Sequence, residues 1–383
     1  MNKELLKFHL AHVFRALWKP LGLFFPVRKN RILFDSFLGK QYSCNPRALY
    51  EYFYEHLPED TEYIWALRNP EQFQWLNQRH NTRVCRYRSM AHYMACLTSK
   101  FVIFNFARSN ELPMPKGQIR IQTWHGGGCY KKTGTAILSQ TDVHNRILRY
   151  KAKEITHFLS SSQFFTEQVI RKQYAFDGPV LSTGMPRNDL LLHEEQHRDK
   201  RKKIRQDLLL APEDFFILYA PTYRDFTEKD YAPLDFFALK DAVEQRFKKK
   251  ARVYYRGHHY TKQSGIDHID KDVSDYFDMQ DLLLAADMLI TDYSSSIWDF
   301  SFTPKPCFLY VPDLEDYEAY RGFDRDIHTW GFPLAKDNNS LCQAILSFDY
   351  EETKANMDKH HRDLNSFEQG DACKQVTDFL LGL

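Results

Sequence analysis

The residues best suited to chemistry lie at 121–134, Ile-Gln-Thr-Trp-His-Gly-Gly-Gly-Cys-Tyr-Lys-Lys-Thr-Gly. An apolar, β-prone run stops at His125, Gly126, Gly127 and Gly128 follow, and Lys131 and Lys132 sit just beyond. Glycine lets backbone N–H groups approach a ligand closely. Histidine exchanges a proton near neutral pH, and the lysines add positive charge. Together, at the end of a strand, they predict chemistry on an anion. A histidine that only caps a strand is the plainer alternative.

Three further strands are expected to end in reactive residue types. Phe215–Ala220 runs into Pro221-Thr222-Tyr223-Arg224-Asp225, and Arg252–Tyr255 into Arg256-Gly257-His258-His259. Met288-Leu289-Ile290 runs into Thr291-Asp292-Tyr293, then Ser294, Ser295 and Ser296, and the helical Ile297-Trp298-Asp299-Phe300. Unpaired N–H groups in a first helical turn, serine hydroxyls and the helix dipole favour a phosphate. Plain N-capping by a serine or by Asp292 competes with that reading. Arg256 and His258 share one face of an extended strand, so both can donate to one phosphate, arginine in bidentate fashion.

His-Gly-Gly-Gly also forms the oxyanion hole of lipases, but their Gly-x-Ser-x-Gly elbow is absent. GxGxxG and the P-loop are absent too, against common dinucleotide and ATP sites. The pairs Asp270/Asp272 and Asp324/Asp326 read as solvated loops. No metal and no cofactor are expected.

The chain has 383 residues, 43% apolar and 15% aromatic, enough for two domains. Its charge of 52 − 50 = +2 does not suggest a nucleic-acid binder. Seven cysteines without a CxxC pair or zinc spacing fit a reducing compartment. No stretch approaches the roughly 20 apolar residues of a spanning helix. Leu6, Leu10, Val13, Phe14 and Leu17 recur at helical spacing among Lys3, Lys7, Arg15, Lys19, Arg28, Lys29 and Arg31, with one acid, Glu4. Such a basic, amphipathic segment suits the surface of an anionic membrane. A helix packed on the protein's own surface is the alternative, and the charges at 15 and 19 argue against a secretory signal.

The elements that must position these residues alternate between strand and helix. Strands are expected at Ile32–Phe37, Tyr63–Leu67, Arg83–Tyr87, Phe101–Phe106, Ile119–Trp124, Phe158–Ser160 and Val180–Ser182, and again at Phe215–Ala220, Arg252–Tyr255, Met288–Thr291 and Cys307–Val311. Helical patterns lie between, which implies parallel α/β sheets. The boundaries read as a membrane-associating segment at 1–30, a Rossmann-like domain at 31–190 and a linker at 191–212. A second Rossmann-like domain follows at 213–360, then a helix at 361–383 that crosses back to the first domain. The stretch His193–Gln206 reads as a solvated helical connector.

In their order these motifs resemble the CDP-glycerol glycerophosphotransferases of teichoic-acid and capsule synthesis. The resemblance rests on Gln-Thr-Trp-His-Gly at 122–126, Gly-x-Pro-Arg-Asn-Asp at 184–189, Ala-Pro-Thr-Tyr-Arg-Asp at 220–225, Arg-x-His at 256–258 and Thr-Asp-Tyr-Ser-Ser with Asp299. Lys305-Pro306, Asp313-x-x-x-Tyr317 and Arg321-Gly322 are similar to the family as well. The resemblance implies a GT-B architecture, with two Rossmann-like domains facing a central cleft. His125 matches the family's proposed catalytic histidine. Arg187, Pro221, Thr222, Arg256, His258, Ser294, Ser295 and Asp299 match donor-contacting positions. His258 is also counted as catalytic, and Gly126–Gly128, Arg224 and Ser296 join the candidate binding set. The chain departs from the family where many members carry His-Gly-Thr-Pro-Leu-Lys, and the two glycines here predict a looser loop.

The implied activity is transfer of glycerol phosphate from CDP-glycerol to a hydroxyl of a lipid-linked or polymeric glycan, with release of CMP. The implied partners are a CDP-polyol donor, a polyprenyl-diphosphate-linked glycan or polyol-phosphate acceptor, and the cytoplasmic membrane surface, where the enzyme would be peripheral. A CDP-ribitol-dependent transferase, a GT-B nucleotide-sugar glycosyltransferase and a non-catalytic membrane scaffold are the alternatives.

Overall fold

The structure, a computed structural model, describes residues 3–18, 20, 25–106, 113–137, 141–222, 233–257 and 268–383. It divides into two compact units. The first comprises Met1–His125, Thr133–Arg187 and Phe367–Leu383, and the second Gly126–Lys132 and Asn188–Ser366.

The sheet of the first unit holds β1 (Arg28–Asp35), β2 (Glu62–Leu67), β3 (Thr82–Arg86) and β4 (Ser99–Phe104), then β5 (Ile119–Gln122), β6 (His157–Leu159) and β7 (Val180–Leu181). All pair in parallel in the order β3-β2-β1-β4-β5-β6-β7. Alternation along β1 sorts its side chains onto two faces. Ile32 and Phe34 join Ile103, Ile121 and the helices Cys44–His56 and Ala372–Leu381 on one side. Leu33 joins Val102, Phe104, Leu97 and Trp18 on the other. Full burial of Val376 ties the last helix into this core, a contribution of about 1.5–3 kcal/mol.

The second unit repeats the plan with β8 (Phe215–Tyr219), β9 (Ala251–Tyr255), β10 (Lys271–Asp272), β11 (Met288–Thr291), β12 (Cys307–Tyr310) and β13 (Leu334–Ala335). Their order is β10-β9-β8-β11-β12-β13, again parallel. In each sheet the order reverses beside its first strand, between β1 and β4 and between β8 and β11. Loops at the carboxyl ends of such a switch point are where doubly wound folds bind ligands.

The N-terminal helix Lys3–Trp18 packs on the first unit through its aromatic residues. Phe8 and His12 meet Tyr150, Phe14 and Trp18 meet Tyr93, and Arg15 pairs with Glu154 at 2.6 Å. Leu6, Leu10, Val13 and Leu17 stay 41–70% exposed as one stripe. Among the described residues no helix is long and apolar enough to cross a membrane.

Two expectations need correction. The stretch His193–Gln206 is not a solvated connector but part of the second unit. In its helix Arg198–Asp207, Arg205 is buried and Arg201 half-buried, and both bond Asp287, at 2.9 and 2.5 Å. Nor are the Asp-x-Asp pairs plain loops. Asp270 pairs with Lys240 and Arg252, Asp272 lies in β10, and Asp324 accepts from Cys129.

Candidate functional site

β5 stops at Gln122 because the chain turns at Trp124, whose φ of +56° is left-handed. Left-handed backbone is costly for a residue with a side chain. The turn delivers His125, half-buried, against the end of β4. Its Nδ1 stands 2.7 Å from the carbonyl oxygen of Asn105. A carbonyl only accepts, so Nδ1 carries the hydrogen and the lone pair of the neutral ring is on Nε2. The rings of Trp124, Phe37 and Phe106 lie 4.4, 5.3 and 5.5 Å from the imidazole. Asn105 is itself fixed, its Oδ1 accepting from the Phe37 amide and its Nδ2 donating to Ser36.

Arg187, a candidate donor ligand by its motif, also has partners within its own unit. It is buried in the first unit, and its Nη1 donates to the His125 carbonyl at 3.0 Å and to Cys44 Sγ at 3.1 Å.

Gly126, Gly127 and Gly128 are buried within the second unit. The looser loop expected of two extra glycines is instead anchored along its length. Tyr130 is buried, with its hydroxyl 3.0 Å from His360 Nε2 and its ring 4.4 Å from Trp330. Its carbonyl accepts from Asp324 N at 3.0 Å. Cys129 Sγ donates to Asp324 Oδ2, and burial with that carboxylate pushes the thiol pKa up. Lys132 exchanges bonds with Gly322 and Arg321.

At the second switch point Asp292 ties two strand ends together. Its carboxylate accepts from the Thr222 amide at 2.9 and 3.0 Å, from Thr222 Oγ1 at 2.6 Å and from the Tyr293 amide. Thr291 Oγ1 donates to the Ala220 carbonyl at 2.6 Å. Pro221 and Thr222 are thereby held half-buried beside the serine run. The helix that follows, expected around Ile297–Phe300, spans Ser296–Phe300. Ser294 Oγ accepts from the Ser296 amide at 3.3 Å and hydroxyl at 3.0 Å, so the serines cap their own turn. Ser295 is half-buried, and Asp299 is 2% exposed on the same short helix.

Arg256 follows β9, its amide donating to the Tyr219 carbonyl at 2.8 Å. Its Nη1 is enclosed and has no hydrogen-bond partner among the described residues. Burial holds the guanidinium pKa below its ordinary value, against the pull of Asp278, Tyr276 and Asp281. An arginine that keeps its charge while enclosing an unsatisfied donor is costly, and an anionic acceptor removes the cost. Arg224 and His258 lie outside the described residues.

Residues 17–382 match the family described as CDP-Glycerol:Poly(glycerophosphate) glycerophosphotransferase. The chain belongs to this family. It is 31% identical over 366 residues to a teichoic acid glycerol-phosphate transferase of Staphylococcus aureus, covering 91% of each chain. It is 29% identical over 403 aligned positions to a teichoic acid poly(glycerol phosphate) polymerase of Bacillus spizizenii, covering 100% of each. Among solved structures, that of the wall teichoic acid polymerase TagF matches with a TM-score of 0.79 at 25% identity, over 93% of this chain and 89% of that one. The architecture is thus the GT-B type, with two Rossmann-like sheets, and the enzyme is a CDP-glycerol glycerophosphotransferase of teichoic-acid synthesis.

In this glycerophosphotransferase several family-like residues prove to be scaffolding. Tyr293 donates to Asp313 at 3.0 Å and stacks on Tyr317 at 3.8 Å, which braces the start of the serine run. Lys305 is spent on Glu194, at 2.6 Å. The sequence reading missed Asn105, since a partner that acts through its carbonyl leaves no side-chain signature. For Asp292 it weighed only a helix cap as an alternative, although a carboxylate one residue past a strand at the switch point was the available signal.

Proposed function

We propose that His125 is the general base and that Arg256, with Thr222 and the Ser294–Ser296 turn, binds the diphosphate of CDP-glycerol. The observation that carries this reading is the Nδ1 bond to Asn105, which leaves Nε2 as the proton acceptor. An acceptor hydroxyl gives its proton to Nε2 while its oxygen forms a bond to the β-phosphorus. The bond from that phosphorus to the bridging oxygen breaks, and CMP leaves. Charge on the equatorial and bridging oxygens needs fixed donors and little else from the protein. The enclosed Nη1 of Arg256 supports that assignment, and the Thr222–Asp292 clamp fixes the strand end beside it. Asp299 would accept from donor hydroxyls, and His258 and Arg224 would complete the anion site.

The acceptor in this reading is tethered to a polyprenyl diphosphate lipid, and the enzyme works at the cytoplasmic face of the membrane. The exposed stripe Leu6, Leu10, Val13 and Leu17, flanked by basic residues, supports peripheral docking. The experiment is purified enzyme with a lipid-linked disaccharide and either CDP-glycerol or CDP-ribitol, following CMP release and product mass. Addition of one or more glycerol phosphates is expected. Addition of ribitol phosphate alone would reassign the donor, and no CMP release with either would overturn the activity.

A further inference from the structure

Three consecutive carbonyls lead into the His125 ring, and each is held by a side chain that the reaction scheme does not use. Asn45 opens the helix Cys44–His56 and is fully buried. Its Nδ2 donates to the Thr123 carbonyl at 3.0 Å and to the Trp124 carbonyl at 3.1 Å. Its Oδ1 accepts from the Arg187 amide at 3.1 Å. Arg187 Nη1 in turn donates to the His125 carbonyl at 3.0 Å. These bonds fix the amide orientation of Asn45, since only one end of it can donate to two carbonyls.

The segment they hold is the one with reason to relax. Trp124 sits in left-handed backbone, a conformation that costs on the order of 1–2 kcal/mol and persists where its surroundings over-determine it. The two Nδ2 bonds grip the peptides on both sides of that residue. Were the 124–125 peptide to rotate, the imidazole would leave the Asn105 carbonyl. The bond to Asn105 sets the tautomer, and Asn45 sets the bond.

We propose that Asn45 is a positioning residue that, through Trp124 and with Arg187, holds His125 in the tautomer whose Nε2 accepts a proton. This rests on His125 being the base, and the test separates the two ideas. Asn45→Asp keeps the shape and the acceptor for Arg187 N but turns a carboxylate oxygen toward two carbonyls. The full-length enzyme is labelled with 15N-histidine, and the His125 signals are assigned by difference with His125→Ala. In the wild type, Nδ1 is expected protonated and Nε2 bare. In Asn45→Asp the ring should shift toward a mixture of tautomers. Turnover should fall on the order of 10²-fold, the cost of misplacing a reacting group by about 1 Å, with KM for CDP-glycerol within about twofold.

Arg187→Lys, which loses the bond to the His125 carbonyl, carries the same expectation and serves if Asn45→Asp does not fold. An unchanged tautomer with turnover within threefold of wild type, in whichever variant folds, overturns the proposal. If His125→Ala keeps its activity, the base assignment falls instead, while the nitrogen shifts still report whether Asn45 governs the ring.

Discussion

Gly127 lies flush against the indole of Trp298: a Cβ atom added to it would stand 2.1 Å from Cδ1 and 2.3 Å from Nε1. Trp298 is fully buried and cannot move aside without breaking the short helix that carries Asp299. The glycine is therefore a fit to the tryptophan rather than a source of slack. Gly127→Ala should destabilise the protein by about 1–3 kcal/mol, as overpacking does. Trp298→Leu leaves a cavity and should be costly alone, but less so in the Gly127→Ala background. A double-mutant cycle of denaturation midpoints checks this, with a coupling of about 0.5–3 kcal/mol expected for residues in contact.

Arg256 is set up for binding rather than stability. Its enclosed Nη1 lacks a protein acceptor among the described residues, and burial works against its charge. Arg256→Met should leave the thermal midpoint unchanged or raise it, because a buried charge without full pairing costs the fold. The same change should weaken CDP-glycerol about 10–100-fold, the loss of charge-assisted bonds worth about 1.5–3 kcal/mol. Thermal scans and titration calorimetry read the two effects separately.

Two histidines, His360 buried and His361 half-buried, set the acid limit of the second unit. Burial, with His361 and Arg325 nearby, pulls His360 down to about 3, and burial pulls His361 down to about 4. His360 Nε2 meets the Tyr130 hydroxyl and His361 Nε2 meets Ser301 Oγ at 2.7 Å. Both are neutral when folded and take up protons on unfolding once the pH drops below about 6.5. The unfolded state then binds more protons, so stability is complete above that pH and declines toward pH 4. Each histidine contributes a slope of about 1.4 kcal/mol per pH unit in that window. His361→Gln should reduce the slope by one such increment, measured by urea unfolding from pH 7 to 4.5.

The N-terminal helix packs by one face and exposes the other. Leu10 and Val13 are each 60% exposed, while Arg15 is tied to Glu154. Changing both Leu10 and Val13 to Glu should leave the fold and the turnover of a soluble acceptor as they were. Sedimentation with vesicles containing anionic lipid should fall at least tenfold, since two apolar side chains leave the interface and two like charges enter it.

Much of the fold was legible because its strands are buried on both faces. Met288–Ile290 reads as an uninterrupted apolar run, and the strand the structure contains is Met288–Thr291. Lys271–Asp272 and Leu334–Ala335, the edge strands of the second sheet, are two residues each and offer no pattern. Arg205 reads as one more surface charge, because its partner Asp287 is distant in sequence and supplied by the fold. His125 and Arg256 were legible by residue type and by their place at strand ends. Asn45 and Asn105 were not, as one acts through its amide on backbone carbonyls and the other through a carbonyl of its own. The glycines were visible, but the fit of Gly127 to the ring of Trp298 was not.

The central claim is that Nε2 of His125 takes the acceptor proton while the donor is bound by other residues. The most direct measurement compares wild type and His125→Ala in single-turnover CMP release, alongside calorimetric binding of CDP-glycerol. A rate loss of about 10²–10⁴-fold is expected for removal of a general base, with donor affinity unchanged within about twofold. A His125→Ala enzyme that turns over at near the wild-type rate would contradict the account.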